Sequence, residues 1–212
     1  VAVSNAQTAA TMGAHTQIDK AGDIRLQAHN TSMLGAKAWA GAVGGNVGVG
    51  ASVATVVSNN EYRASIGSGS DISADSLALQ AQNSQVAPGT FRLKVDGISD
   101  IKTIPDQLTK GALLGGANYY SEAAAGAAGD TAAVSGAFAV NVFSDRTETA
   151  IGANSSIDLG SRGALLLDSS NDTTSTSMAG AAAVGGKVGV GGSSAVARSS
   201  NDTSAHIEAG TV

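Results

Sequence analysis

The residues of this chain that could do chemistry are few and scattered. Its three histidines, His15, His29 and His206, lie in different repeats of the sequence. Asp96 and Asp100 stand four apart in a proline-containing stretch, where such a pair serves as solvated or capping carboxylates. Serine and threonine are abundant, but no His/Asp constellation accompanies them in the nucleophile, base and orienter pattern of acyl transfer. The strongest signal is a glycine-rich run that occurs twice, VGGNVGVG at residues 43–50 and VGGKVGVG at 184–191. A calcium-binding repeat of the GGxGxD type needs an aspartate, and neither run contains a carboxylate. A dinucleotide fingerprint needs glycines that open a helix, whereas Gly48 and Gly50 are followed by alternating, strand-like text. The sequence therefore predicts no catalytic, cofactor-binding or metal-ligating residues, and no enzyme.

Elements must then be found that explain the runs without chemistry. Aromatic residues make up 3% of the chain and charged residues 14%, while 28 residues are glycine. A core built under those limits rests on Ala, Val, Ile and Leu, which suits thin, closely stacked layers. The net charge is -5 and no basic stripe exists, so a nucleic-acid partner is excluded. Cysteine is absent, which removes disulfides and thiolate metal sites and is compatible with export. The first residues, VAVSNAQTAA, lack a basic region followed by a long apolar one, so no signal peptide is expected there. The chain starts and stops in mid-pattern, as a piece of something longer would.

Repeats decide the reading. Segments at residues 10–30, 64–83, 149–171 and 204–212 share one shape and align on Met12, Ile66, Ile151 and Ile207. Those anchors are 54, 85 and 56 residues apart, a unit of about 55 with some 30 residues added once. Within each unit, DIRLQA, SLALQA and SIDLG alternate apolar and polar residues as strands with one buried face do. The Ala/Gly/Val sections alternate as well. Asparagine recurs at Asn5, Asn30, Asn60 and Asn83, and again at Asn171 and Asn201, with Arg146 in the remaining place of that column. Such spacing predicts an all-β chain, a parallel β-helix (β-solenoid) of either hand with rungs of about 25–30 residues. Residues 1–85 hold the first repeat unit and 116–212 the second. A membrane span over residues 35–57 fails, because Asn46 sits at its centre and the twin run carries Lys187 there; charge at mid-bilayer costs about 2.5–3.5 kcal/mol. As strand residues, Val47, Val49, Val53, Val188 and Val190 are expected to point inward, and Asn46 and Lys187 outward.

Two kinds of text alternate through the chain: ASIGSGSDI and TAIGANSSI on one side, AGAVGGNVGVGASVA and AGAAAVGGKVGVGGSSA on the other. In this the chain resembles the long repetitive passengers of leukotoxin-like and filamentous-haemagglutinin-like adhesins of Gram-negative bacteria. The resemblance covers nearly everything outside residues 86–115. It implies a parallel β-helix, a secreted or cell-surface location, and service in adhesion or as a stalk. The implied partner is a host or bacterial surface protein or glycan. A structural protomer stacking end to end into an extracellular filament is the alternative, and a β-helical polysaccharide-active enzyme a minor one.

Residues 86–115 break the pattern. They hold both prolines, Pro88 and Pro105, and four of the twelve basic residues. Proline cannot donate to a strand ladder, so this insertion is expected to leave the coil and rejoin it. Pro105-Asp106-Gln107-Leu108 has the form of a short helix start. Phe91, Arg92, Lys94, Lys102 and Lys110 form its candidate partner-binding set, a basic patch on an acidic protein suited to an anionic glycan or acidic partner.

Overall fold

The computed structural model describes residues 1–84 and 118–211. The chain is all-β: among the described residues there is no α-helix, and every strand pairing is parallel. The strands are β1 (Ala2–Ser4), β2 (Gln7–Met12), β3 (Gln17–Thr31), β4 (Leu34–Gly44), β5 (Val47–Ile66) and β6 (Asp71–Ser84). After the insertion come β7 (Tyr119–Gly129), β8 (Ala132–Ile151), β9 (Ser156–Asp158), β10 (Ala164–Asn171), β11 (Ser175–Gly185) and β12 (Val188–Ile207).

They form three open sheets. A long sheet has the order β1-β5-β8-β12, with β2 also on β5; a leucine-rich sheet has the order β10-β6-β3, with β9 on β6; an alanine-rich sheet has the order β11-β7-β4. The chain visits leucine, alanine and long sheets in rotation. Each parallel crossover is thus a passage through the other two sheets, where α/β folds use a helix.

The register bears out the four sequence anchors. Met12 pairs with Ile66, Ile66 with Ile151, and Ile151 with Ile207. It corrects the spacing of the layers. Hydrogen-bonded neighbours lie one whole unit apart, as in Ala2↔Val56 and Ala132↔Val188, or 85 apart across the insertion, as in Val47↔Ala132. The period of 25–30 residues measured the distance within one layer, from the end of a leucine-sheet strand to the interior of a long strand, not between stacked layers. The asparagine column divides for the same reason. Asn30, Asn83 and Asn171 stack on the leucine sheet, while Asn60 stacks on Asp145 and Asn201; Arg146 pairs with Glu61 instead. DIRLQA and SLALQA pair as expected, but their third partner is ALLLDS, and SIDLG lies against Asp71, Ile72 and Ser73.

Two apolar clusters fill the interior. Ile72, Leu77 and Leu79 of the leucine sheet pack on Ala64, Ile66 and Ile151 of the long sheet. Ala123 and Ala125 of the alanine sheet pack on Ala54, Val56, Ala137 and Ala139 of the same long strands. The second cluster is much thinner, and its thinness overturns the expected orientation of the valines. Val47, Val49, Val53, Val188 and Val190 are exposed, and Gly48, Gly50, Ser52 and Ala54 face inward. A Cβ on Gly48 would stand 2.1 Å from the Ala128 carbonyl oxygen, and one on Gly50 2.3 Å from that of Gly126. The long and alanine sheets approach until backbone meets backbone, so Gly48, Gly50 and Ala54, and not their valine neighbours, lie between them. Asn46 and Lys187 are exposed, as expected.

The twin glycine runs are turns as well as strands. Gly44, Gly129 and Gly185 end the alanine-sheet strands one above another, where a Cβ would stand 1.9, 2.3 and 1.8 Å from Val47, Ala132 and Val188 carbonyl oxygens. The corner between long and leucine sheets is built by the Ile-Gly segments. There His15, Gly69, Asn154 and Gly210 all adopt positive φ, which glycine and asparagine tolerate. Thr16, Ser70 and Ser155 hydroxyls each donate to the carbonyl three residues back at 2.8 Å, which closes the turn.

Candidate functional site

At the third corner, where leucine and alanine sheets meet against the middle of the long strands, the interior turns polar. Asp145 lies on β8 between the two apolar clusters and is 1% exposed. Both of its oxygens are occupied. Oδ1 accepts from Asn60 Nδ2 at 3.1 Å and from the Tyr119 hydroxyl at 3.1 Å. Oδ2 accepts from Thr173 Oγ1 at 3.2 Å and Asn83 Nδ2 at 3.4 Å. Asn60 also donates to Ser58 and Tyr119, and Asn83 to Asn171 and Thr173. The Tyr119 ring stacks on Phe143 with centroids 4.8 Å apart.

This node joins strands of all three sheets, and its partners are neutral. Burial pushes the Asp145 carboxyl above its ordinary value, and the hydrogen bonds from Tyr119, Thr173 and Asn60 oppose that shift. Burial likewise pushes the Tyr119 phenol up to about 12, which keeps it a donor. With both oxygens accepting hydrogen bonds from three sheets, the carboxylate organises the meeting of their strands. Asn118 and Asn141 extend the same work. Asn118 Nδ2 donates to Ser32 and Ser84 carbonyls, and Asn141 Nδ2 to the Thr176 carbonyl at 2.6 Å.

Against the node, the long sheet carries a polar groove of about 350 Å³ lined by Asn60 and Asp145 together with Asn5, Glu61, Arg146 and Asp202 among others. Beside it runs an ion-pair ladder. Glu148 lies 3.2 Å from Arg146, 3.9 Å from Arg63 and 3.7 Å from His206, and Arg146 reaches Asp202 at 3.8 Å. Partly exposed pairs of this kind contribute little to stability, but they pin three layers together at one height.

The histidines are not brought together. His15 lies at a corner against Gly69, His29 beside Thr31 on the leucine sheet, and His206 beside Glu148 on the long sheet. Among the described residues, no group of three or more His, Asp or Glu side chains could hold a metal ion. No helix there is long and apolar enough to cross a membrane. The candidate set Phe91, Arg92, Lys94, Lys102 and Lys110, together with the expected short helix, lies outside the described residues. On either side of them, Ser84 and Asn118 are joined by the Asn118 Nδ2 hydrogen bond to the Ser84 carbonyl. Sequence reasoning missed the polar node because it paired the asparagines with one another and with Arg146. Its signal was the pairing of Asn60 with an acidic residue at the anchor spacing of 85.

No known protein family, curated protein or solved structure matches the chain.

Proposed function

We propose that this chain is a non-enzymatic segment of a parallel β-solenoid in a large secreted or surface-exposed bacterial adhesin, where it serves as an adhesive module or stalk. One observation carries the reading. Each repeat adds one strand to each of the same three sheets, in the same rotation, at a register of one unit. Such a design gains length without changing cross-section, the property that reach from a surface demands. The sequence resemblance to repetitive adhesin passengers supports the same role, and the polar groove supplies a surface for a protein or glycan partner. Among the described residues the outer strands of each sheet keep one unpaired edge, which favours end-to-end stacking as the second reading.

Duplicating residues 132–187, one complete circuit from β8 to the turn before β12, tests the architecture. A coil should accept the extra circuit, keep its β-sheet circular dichroism, and lengthen by about 4.8 Å in small-angle scattering. Loss of the fold on duplication would refute the coil. Beads carrying the chain, applied to host cells and glycan arrays, test the adhesive role. Retention that a heat-unfolded control lacks supports adhesion, and its absence leaves the stalk.

A further inference from the structure

The polar groove of the long sheet is built from two ridges that cross the strands on the outer face. One ridge is small and neutral. Asn59 pairs with Ser144 and Ser144 with Ser200, and Asn5 precedes Asn59 by the same 54 residues that separate Gln7 from Glu61. The other ridge is longer and mostly charged: Gln7 pairs with Glu61, Glu61 with Arg146, and Arg146 with Asp202. Between the ridges lie Asn60 and Asp145, 2% and 1% exposed, with their side chains in the interior node, so the floor is main chain. Layers stand about 4.8 Å apart and the ridges are two residues apart, which makes the groove about 14 Å long over its four layers and about 7 Å across. On the far side of the neutral ridge, Val3, Val57 and Val142 form an exposed apolar strip.

We propose that this groove binds an extended saccharide chain without acidic groups, laid along the stacking direction with one sugar to each layer. The inference rests on the adhesive reading and gives its partner a chemical class and a site. The ridges carry amides, hydroxyls, carboxylates and a guanidinium, each of which donates to or accepts from a sugar hydroxyl. A site for an apolar ligand would be lined by apolar and aromatic side chains instead. Spacing selects a polymer. One layer, about 4.8 Å, is close to the length of one pyranose in an extended 1,4-linked chain, so equivalent hydroxyls of successive sugars meet side chains at equivalent positions. The valine strip lies where the C–H edges of such a chain would rest. Charge selects among sugars. Arg146 is drawn to Glu148 at 3.2 Å and Asp202 at 3.8 Å, while Glu61 and Asp202 line the groove and the Asp145 carboxylate lies beneath its floor. The local field is negative, which disfavours sulfated, phosphorylated and uronic sugars. The groove is open, so one site binds weakly, and repeated sites on one surface would multiply the effect.

Isothermal titration of the 212-residue chain with cello-oligosaccharides and N-acetylated chito-oligosaccharides of one to six sugars tests the proposal. Affinity for at least one series should rise with length up to four sugars, one for each layer, and then level off, with a tetrasaccharide Kd on the order of 1 mM. Tetragalacturonate, its acidic counterpart, should bind at least tenfold more weakly. Ser144→Phe, at an exposed position on the central strand, fills the middle of the groove and should weaken the tetrasaccharide at least tenfold with Tm unchanged. If the larger side chain disturbs folding, Asn59→Ala, which only shortens an exposed one, should still weaken it about threefold. Lys187→Ala, outside the groove, should bind as the wild type does. No binding of either neutral series at about 10 mM, affinity indifferent to length, equal binding of tetragalacturonate, or binding that survives both groove variants would overturn the proposal. Cell retention is read separately. Beads carrying Ser144→Phe that hold cells as well as wild-type beads do overturn the groove while adhesion stands. Wild-type beads that hold no cells, beside a tetrasaccharide that binds as expected, uphold the groove and remove the adhesive role.

Discussion

Gly50→Ala adds one methyl group at the thinnest part of the molecule. Gly50 lies in β5, its φ is not in the positive range, and so its backbone would accept any residue; only space forbids one. The new Cβ would stand 2.3 Å from the Gly126 carbonyl oxygen, where a non-bonded carbon and oxygen need more than 3.0 Å. The obstacle is main chain held in a ladder with β4 and β11, so it cannot rotate away. The sheets must part by about 0.7 Å or more, and overpacking of this kind costs about 1–3 kcal/mol. Removing a glycine from the unfolded chain returns about 0.4–1 kcal/mol. The expected net loss is about 1–2 kcal/mol, or about 2–8 °C in Tm for a chain of this size. Gly48→Ala, at 2.1 Å from the Ala128 oxygen, should behave alike. The double variant should lose less than the sum, since sheets already parted accommodate the second methyl. Val49→Asp is the contrast. Val49 is 65% exposed, so the change should cost at most about 1 kcal/mol, the span of strand propensity. Urea titration followed by circular dichroism measures all four. A silent Gly50→Ala beside a Val49→Asp that loses several kcal/mol would show that the valines, not the glycines, face the interior.

Three further expectations follow from the interior. The folded-state pKa of Asp145 is raised, so its favourable contribution is complete below the ordinary carboxylate range and is lost as pH rises through the folded value. Asp145→Asn should therefore gain stability relative to wild type from acid to neutral pH, and urea midpoints that diverge the other way would contradict this. Ser135 buries a hydroxyl without a partner in the thin half, so Ser135→Ala should raise stability by about 1 kcal/mol in the same titration. Asn154 holds φ of 55° at a corner; Asn154→Val should cost about 1–2 kcal/mol while Asn154→Gly stays within about 0.5, read as Tm.

The sequence revealed the repeat better than the thickness. A large apolar residue at the entry to a fixed corner, followed by glycine in three of four cases, marks each repeat, so Met12, Ile66, Ile151 and Ile207 could be aligned by eye and stack as aligned. DIRLQA and SLALQA were legible for the usual reason: the larger apolar residue of each alternating pair enters a roomy core. That same rule failed at Val47 and Val49. Periodicity says that two faces differ, but which one is buried depends on the partner sheet. Here the partner is SEAAAGAAG, with nothing larger than alanine opposite the glycines. A strand of glycines facing a strand of alanines was the available sign that backbones meet. The node at Asp145 was hidden because a buried carboxylate among neutral amides has no local pattern; only the register assembles it.

The parallel ladder also sets how the molecule would respond to force. Its interlayer hydrogen bonds lie along the stacking direction, so tension applied squarely across the layers loads the bonds of β8 to β12, a register of twenty residue pairs, all at once. Tension applied through a chain leaving one corner instead opens them in succession, beginning at that corner. Each layer so peeled frees about 55 residues, roughly 180–200 Å of contour, before the next begins to yield. A tether made this way would lengthen in quantised steps when peeled from a corner and shield the layers behind from the load.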